Sequence, residues 1–500
     1  MTYWEEDPEA AVKALNTCYT YLGNMDEQLY CEAMTDNAYT KQPNDFTQNI
    51  GNGSYSTADS YVKQVWDGRY TGIRMCNQLL ENIDRVPDLD PELKKRYIGE
   101  AKVLRAYSYY ELYTKFGDIP YTTKVLSIKE SMSIARTAKA TVIANVLADL
   151  DEVINGNYLP TSYDADNKGR ITRWAAMAIK AKIYLFEGNW TQVKNITSTI
   201  MTEGGFKLFG SYAGLFEIAN EYNSEVILDA QYRPTSREHQ MMYVFLPPTL
   251  GGYSQLSPLQ ELVDSYIMLD GKTIKETGTS FDESHPYANR DPRLKATVMY
   301  TGNSYTLADG TEVVINCEKG EGKDGYGVGS DCSATGYYIK KYWDNTYRAT
   351  LYSGLNPILI RYADILLMNA EALAELGELD KTAWDATIKP IRDRAGFTLA
   401  SALEFPEGAS KDKLIEIVRN ERRSELALEG HRHKDIIRWR IADNVLNGWC
   451  HGLKTNDVVG TDDGYVRVEN RTFNANKHYL WPIPQAERDL NGNLEQNPNW

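Results

Sequence analysis

Apolar residues recur at helical spacing through most of the first 200 positions, lose that rhythm, and recover it after residue 356. Residues 8–22 read as an amphipathic helix with Pro8 in the first turn. A long helix is predicted from Asp59 to Arg85, with Tyr61, Val65, Trp66, Tyr70, Ile73 and Leu80 on one side. Pro91 opens the next, which runs through Leu104 and Tyr107 to Phe116. Helices follow at about 138–154, 171–187 and 191–202, after a connector at 118–136. Two stretches break the pattern. Residues 24–57 read as a long irregular loop, a length that is usually functional. Residues 203–355 are rich in Gly, Ser, Thr, Tyr and Pro, with short strand-like runs at Glu225–Tyr232, Leu294–Tyr300, Thr311–Cys317 and Tyr337–Trp343. Helix resumes at Asn356-Pro357, read as an N-cap and first turn, and Gly377 stops it. Asp380 caps a further helix through Ala383, Trp384 and Ile388. Residues 396–409 read as loop, and Ser410–Glu429 as a helix ended by Gly430. From Gly452 to Trp500 the chain has strand-and-turn character, with Asp463-Gly464 as a hairpin turn.

Within the 356–394 stretch, Leu373, Gly377, Leu379 and Ala386 fall where a tetratricopeptide unit needs a large residue, a reversing glycine and two interlocking residues. A bulky residue four before a glycine recurs as Tyr19–Gly23, Tyr113–Gly117 and Tyr184–Gly188, and Trp190 repeats the place of Leu379. The expected fold class is mostly α, a degenerate tetratricopeptide-like scaffold of four helix pairs with a large, loop-rich mixed α/β insertion. The expected organisation is a single domain over 1–500, with the scaffold at 1–202 and 356–500 and an inserted ligand face at 203–355.

A formal net charge of -15 argues against nucleic acid or an anionic membrane surface as the main partner. No apolar run reaches the roughly 18 residues of a membrane-spanning helix. Met1–Asp7 has neither a basic start nor an apolar stretch, so no signal peptide is expected there. The 35 tyrosines and 10 tryptophans far exceed the 11 phenylalanines, a bias that suits wet recognition surfaces, sugars included, although most tyrosines are expected simply to pack helices. Six cysteines form no CxxC pair; Cys317 and Cys332 bracket a glycine-rich loop and could be bridged in an oxidising compartment.

Several motif fragments dissolve on inspection. Gly320–Gly325 spells GxGxxG, but Tyr326–Ser330 after it is a poor helix, so no dinucleotide site is expected. Asp164–Gly169 begins like a calcium loop, but Lys168 and Ala175 hold its fifth and twelfth positions. His431 and His433 are two apart and would point to different helix faces. No nucleophile elbow, zinc motif or phosphate loop is present. Catalytic residues, metal and cofactor are therefore all expected to be none. The charge-dense run Asn420–Arg432 reads as a partly buried ion-pair network joining its helix to neighbours.

That run carries a resemblance. Glu421, Arg422, Arg423, Glu425, Leu426, Glu429, Gly430, His431, Arg432, Asp435, Arg438 and Trp439 match the ERR-x-EL…EGHR…D…RW signature of the SusD/RagB family. Pro357–Ala372, Asn289–Leu294, Asn223–Ile227, Leu480–Pro484 and Gln496–Pro498 resemble further family motifs in the same order. The resemblance implies a nutrient-binding, outer-membrane surface lipoprotein that works with a SusC-like TonB-dependent transporter. It implies no catalytic activity, attachment to the membrane only through a lipid anchor, and an anchor-bearing start removed ahead of this chain. An oligosaccharide ligand is expected; the alternatives are an oligopeptide, a glycoside hydrolase on a helical scaffold, and a cytosolic repeat adaptor.

Two surfaces compete for the ligand. The 35–57 loop offers Asp36, Asn37, Tyr39, Asn44, Asn52 and Tyr55; the 250–345 insertion offers Tyr253, Tyr305, Tyr326 and Tyr337. Short carboxylates and amides suit sugar hydroxyls, and rings suit pyranose faces. Trp66 and Trp343 are expected in the core, and the two loops are expected to meet on one face.

Overall fold

A computed structural model of the chain describes residues 3–41, 47–347, 349–455 and 462–500. The chain resolves into two compact units. The first comprises 1–23, 54–189 and 474–500, and the second 24–53 and 190–473. The fold is mostly helical, and the strands among the described residues are short and paired two by two.

The first unit is an array of helices laid side by side. Asp59 caps the Ser60–Asn82 helix by accepting from the Tyr61 and Val62 amides, and Asp90 with Pro91 starts Pro91–Phe116 in the same way. These two helices pack on each other; the second packs on Lys139–Asn155, which packs on Arg173–Phe186. Gly99 allows one of these close approaches, since a Cβ there would sit 2.8 Å from the Tyr158 side chain. Gly117 and Gly188 end their helices at φ 72° and 69°, values a side chain disfavours. Trp66, Phe116 and Trp481 stack edge to face in the interior, as the apolar spacing of the first helix requires.

The second unit has a helical frame and a loop-built body. Trp190–Glu203 packs on Tyr362–Leu376, which packs on Lys411–Glu425. Ser410 and Asp380 cap their helices as their positions predict, and Gly377 ends the central one at φ 73°. The helix expected from 357 begins only at Tyr362; Ile358–Arg361 is a strand that pairs with Val226–Asp229. Ile358 and Ile360 are buried and Leu359 is not, so this β-branched run alternates instead of following a helical face. This pairing runs across the expected scaffold–insertion border, and residues 190–355 fall in the same unit as the frame.

Three more readings change. Residues 24–53 are not one loop. They hold the Met25–Tyr30 helix capped by Asn24, a 3-10 turn at Cys31–Met34, the Ala38–Thr40 strand and the Gln48–Asn52 helix. Leu294–Tyr300 starts inside a helix, Pro292–Thr297, capped by Asp291. All six cysteines are free thiols, with the Cys332 thiol donating to the Lys323 carbonyl at 3.3 Å instead of being bridged to Cys317. The closing hairpin pairs Gly448–Lys454 with Tyr465–Arg471. No helix among the described residues is long and apolar enough to cross a membrane.

Candidate functional site

The charge-dense run forms the centre of the second unit. Arg361, fully buried, reaches Glu225 and Glu425 at 2.6 Å and Glu429 at 2.7 Å. Arg293 holds Asp291 and Glu421 at 2.7 Å and Glu425 at 2.9 Å. Arg422 bridges Asp364 and Asp435, and Arg438 bridges Asp435 and Glu371, whose carboxylate also accepts from the Trp439 indole at 2.6 Å. Arg394 completes the cage against Glu225 and Glu425. Burial by itself would raise the Glu425 carboxyl, but Arg394, Arg361 and Arg293 surround it and hold it well below the usual range. Lys341 meets Glu429 at 2.7 Å, yet burial still pulls its amine down to about 8. Every member is tied to the helical frame, so the network fixes where the loops of the unit begin and end.

On this frame the two candidate loops are brought side by side. Ala38–Thr40 pairs antiparallel with Leu256–Pro258, and the Lys41 amide donates to the Gln255 carbonyl at 2.9 Å. The Lys41 ammonium donates to the Cys332 carbonyl at 2.8 Å, which ties in the glycine-rich loop. The Tyr30 hydroxyl donates to the Gln255 amide oxygen at 3.2 Å, and the Thr249 amide donates to Asp324 at 2.8 Å.

Three tyrosines cluster on this assembly. Tyr243 and Tyr253 stack with centroids 6.2 Å apart and planes 26° apart, and Tyr352 meets Tyr243 edge to face at 6.2 Å. The turn that returns Tyr253 to Tyr243 depends on Gly251, at φ 88°, and on Gly252, where a Cβ would lie 2.1 Å from the Leu246 carbonyl oxygen. The Tyr253 amide closes the turn on the Tyr243 carbonyl at 2.9 Å. Tyr352 is delivered by a bridge between His239 and Ser353. Tyr352 is 40% exposed, while Tyr243 and Tyr253 are half-buried. The rings therefore form a semi-rigid aromatic ledge with polar tips, a surface that stacks on apolar faces and hydrogen-bonds at its edge. His239 in that bridge is buried, and burial pushes its imidazole down to about 4, so it is neutral near pH 7 and its Nε2 donates to the Leu355 carbonyl at 3.2 Å.

The sequence profile of the SusD family matches residues 215–500. The chain belongs to the SusD family. A second profile, described as starch-binding associating with outer membrane, matches residues 11–185. SusD-like protein P25 of Formosa agariphila is 28% identical over 409 residues, covering 77% of this chain and 71% of that one. SusD-like protein P2 of the same organism is 26% identical over 469 residues, covering 91% and 83%. The crystal structure of a SusD-like carbohydrate binding protein from Bacteroides fragilis superposes with a TM-score of 0.86 at 28% identity, covering 99% of this chain and 100% of that one. A second SusD-like protein from Bacteroides fragilis gives 0.84 at 26% identity, covering 100% and 98%.

Within this SusD-family fold the sequence-predicted site residues divide sharply. Asp36 is buried and shared by Arg423 and Arg432 at 2.8–2.9 Å. Burial opposes its charge, but the two guanidinium groups win and hold its carboxyl below the usual range. Asn37 is 1% exposed, donating to Glu32 at 2.8 Å and accepting from Arg423 at 2.9 Å. Tyr55 lies in the first unit, buried between His478 and Trp500. Tyr305 and Tyr337 are core residues: the Tyr305 hydroxyl donates to the Ile339 carbonyl and the Tyr337 hydroxyl to Gln260. These five have no free face for a ligand. Tyr39 and Asn52 are half-buried beside the closing hairpin, where the Asn52 amide donates to Glu469 at 3.1 Å and Tyr39 accepts weakly from Gln48 at 3.5 Å. Asn44 lies outside the described residues. Tyr253 and Tyr326 stay partly exposed, and of these only Tyr253 joins the aromatic ledge. Trp66 is buried as expected, whereas Trp343 is half-exposed and donates to the Thr306 carbonyl at 3.1 Å.

Tyr243 and Tyr352 escaped the sequence reading. Tyr243 hides in Met241–Phe245, where the other four side chains are buried and only the third turns outward. Tyr352 stands in Leu351-Tyr352-Ser353-Gly354, and its glycine- and serine-bearing context was the signal that could have marked it.

Proposed function

We propose that the protein is a non-catalytic oligosaccharide receptor at the outer-membrane surface, which binds glycan on the Tyr243–Tyr253–Tyr352 ledge and hands it to a SusC-like TonB-dependent transporter. The observation that carries this reading is the exposed tyrosine ledge, mounted on a frame shared with a Bacteroides fragilis protein described as carbohydrate binding. Pyranose faces lie on the rings, and the tyrosine hydroxyls hydrogen-bond sugar hydroxyls. Such a shallow, open site binds weakly, on the order of micromolar to millimolar, because water and loop order are only partly displaced. The description starch-binding associating with outer membrane, matched over residues 11–185, supports the location and the ligand class. Calorimetry against a glycan panel tests the reading: saturable heat with at least one glycan supports it, and heat with peptides alone replaces the ligand class. New reducing ends accumulating with sustained turnover would overturn the non-catalytic part. A pull-down with the membrane-tethered native protein should recover a TonB-dependent transporter.

A further inference from the structure

The outer side of the Lys411–Glu425 helix carries a second feature. Two clefts of about 590 and 420 Å³ open there, and Asn420 and Arg423 line both. Trp439 and Arg419 line the larger, Asp264 and Trp449 the smaller. The two volumes fall in the range of about 300–1,000 Å³ usual for small-ligand clefts.

The chemistry of the clefts narrows the ligand. Their charges are largely spent on each other. Arg423 and Arg432 share Asp36, Arg419 reaches Glu375 at 3.0 Å, and His451 holds Glu261 at 2.7 Å. A strongly charged ligand would find little counter-charge free to meet it. What remains is suited to neutral hydroxyls. Asn444 presents an exposed amide at the rim. Trp449 is 43% exposed, and the Arg467 guanidinium lies 5.3 Å from its ring centre, which steadies the indole against the strand.

We propose that the smaller cleft is a second oligosaccharide-binding site, which takes a neutral glycan with one sugar face on Trp449 and hydroxyls on Asn444. It shares no residue with the tyrosine ledge, so either site can fail without the other. Tryptophan emission of the wild type and of Trp449→Phe is recorded during titration with neutral linear hexasaccharides (α-1,4-glucan, β-1,3-glucan, β-1,4-xylan and β-1,4-mannan). The difference between the two proteins isolates Trp449. The expected result is a saturable Trp449 signal with at least one hexasaccharide, kept in Tyr253→Ala/Tyr352→Ala. That signal should need about tenfold more sugar in Asn444→Ala, the loss of one good anchor. The Phe variant preserves the ring packing, so the reading does not depend on a destabilised protein. A silent Trp449 with all four sugars overturns the proposal. So does a signal that vanishes with the ledge tyrosines.

Discussion

The ion cage around Arg361 and the aromatic ledge at Tyr253 stand in the same unit and reverse the ordinary distribution of side chains. In the first, arginines and carboxylates are fully buried; in the second, large rings stay partly open to water. The cage tolerates burial because each charge has two or three partners at hydrogen-bond distance. Buried pairs of this kind add little net stability over an apolar core, but they punish any misplacement heavily. The ledge makes the opposite trade. Its rings leave apolar area exposed, which contributes nothing to folding and remains available to a ligand. One region secures a geometry, and the other spends apolar area on recognition.

The comparison is broken most forcefully at its buried pole. Arg361→Ala leaves Glu225, Glu425 and Glu429 without their shared partner and should cost about 3–5 kcal/mol in urea unfolding. A loss under about 1 kcal/mol would mean that the cage relaxes freely and fixes nothing.

Tyr305→Ala and Tyr352→Ala sharpen it, because the same substitution is made in core and ledge. The first empties a fully buried position and should cost about 3 kcal/mol; the second should stay within about 0.5 kcal/mol. Chemical denaturation of both variants measures the gap, and equal costs would contradict the division.

A third test uses protons. Burial raises the Glu32 carboxyl to about 7, outweighing the Asn37 and Gly430 amides that donate to it. Because the folded value lies above the unfolded value of about 4.5, the contribution of this group is fully present below pH 4.5 and fades as pH rises through 7. The decline should be on the order of 2–3 kcal/mol, and Glu32→Gln should flatten it. A stability profile between pH 4.5 and 7.5 that is the same in both proteins would contradict the assignment.

The sequence made one pole far more legible than the other. In the first unit Asp59 and Pro91 marked helix starts and Gly117 a helix end, because capping and termination are local. The cage was readable as a buried network from the density of charge between Ile417 and Leu428, although its partners Glu225, Arg293 and Arg361 lie far away in the chain. The strand at Ile358–Arg361 was missed because a short apolar run fits either period, and its partner at Val226 is over 130 residues away. For the ledge, composition was misleading. Tyr305, Tyr337 and Tyr253 look alike in sequence, each among glycines and polar residues, and only tertiary packing buries the first two. Asp36 and Asn37 looked like sugar ligands for the same reason, their arginine partners being nearly 400 residues distant.

The smallest expected change in stability accompanies the most informative change in binding. Tyr253→Ala/Tyr352→Ala removes two ledge rings and should leave the unfolding free energy within about 1 kcal/mol of the wild type. The decisive measurement is a calorimetric titration of this double variant with a glycan that binds the wild type, read at the ledge after Trp449→Ala has silenced the smaller cleft. Affinity should fall at least about tenfold, the scale of losing a stacking anchor. Unchanged affinity in the folded variant would show that the tyrosine ledge does not hold the glycan.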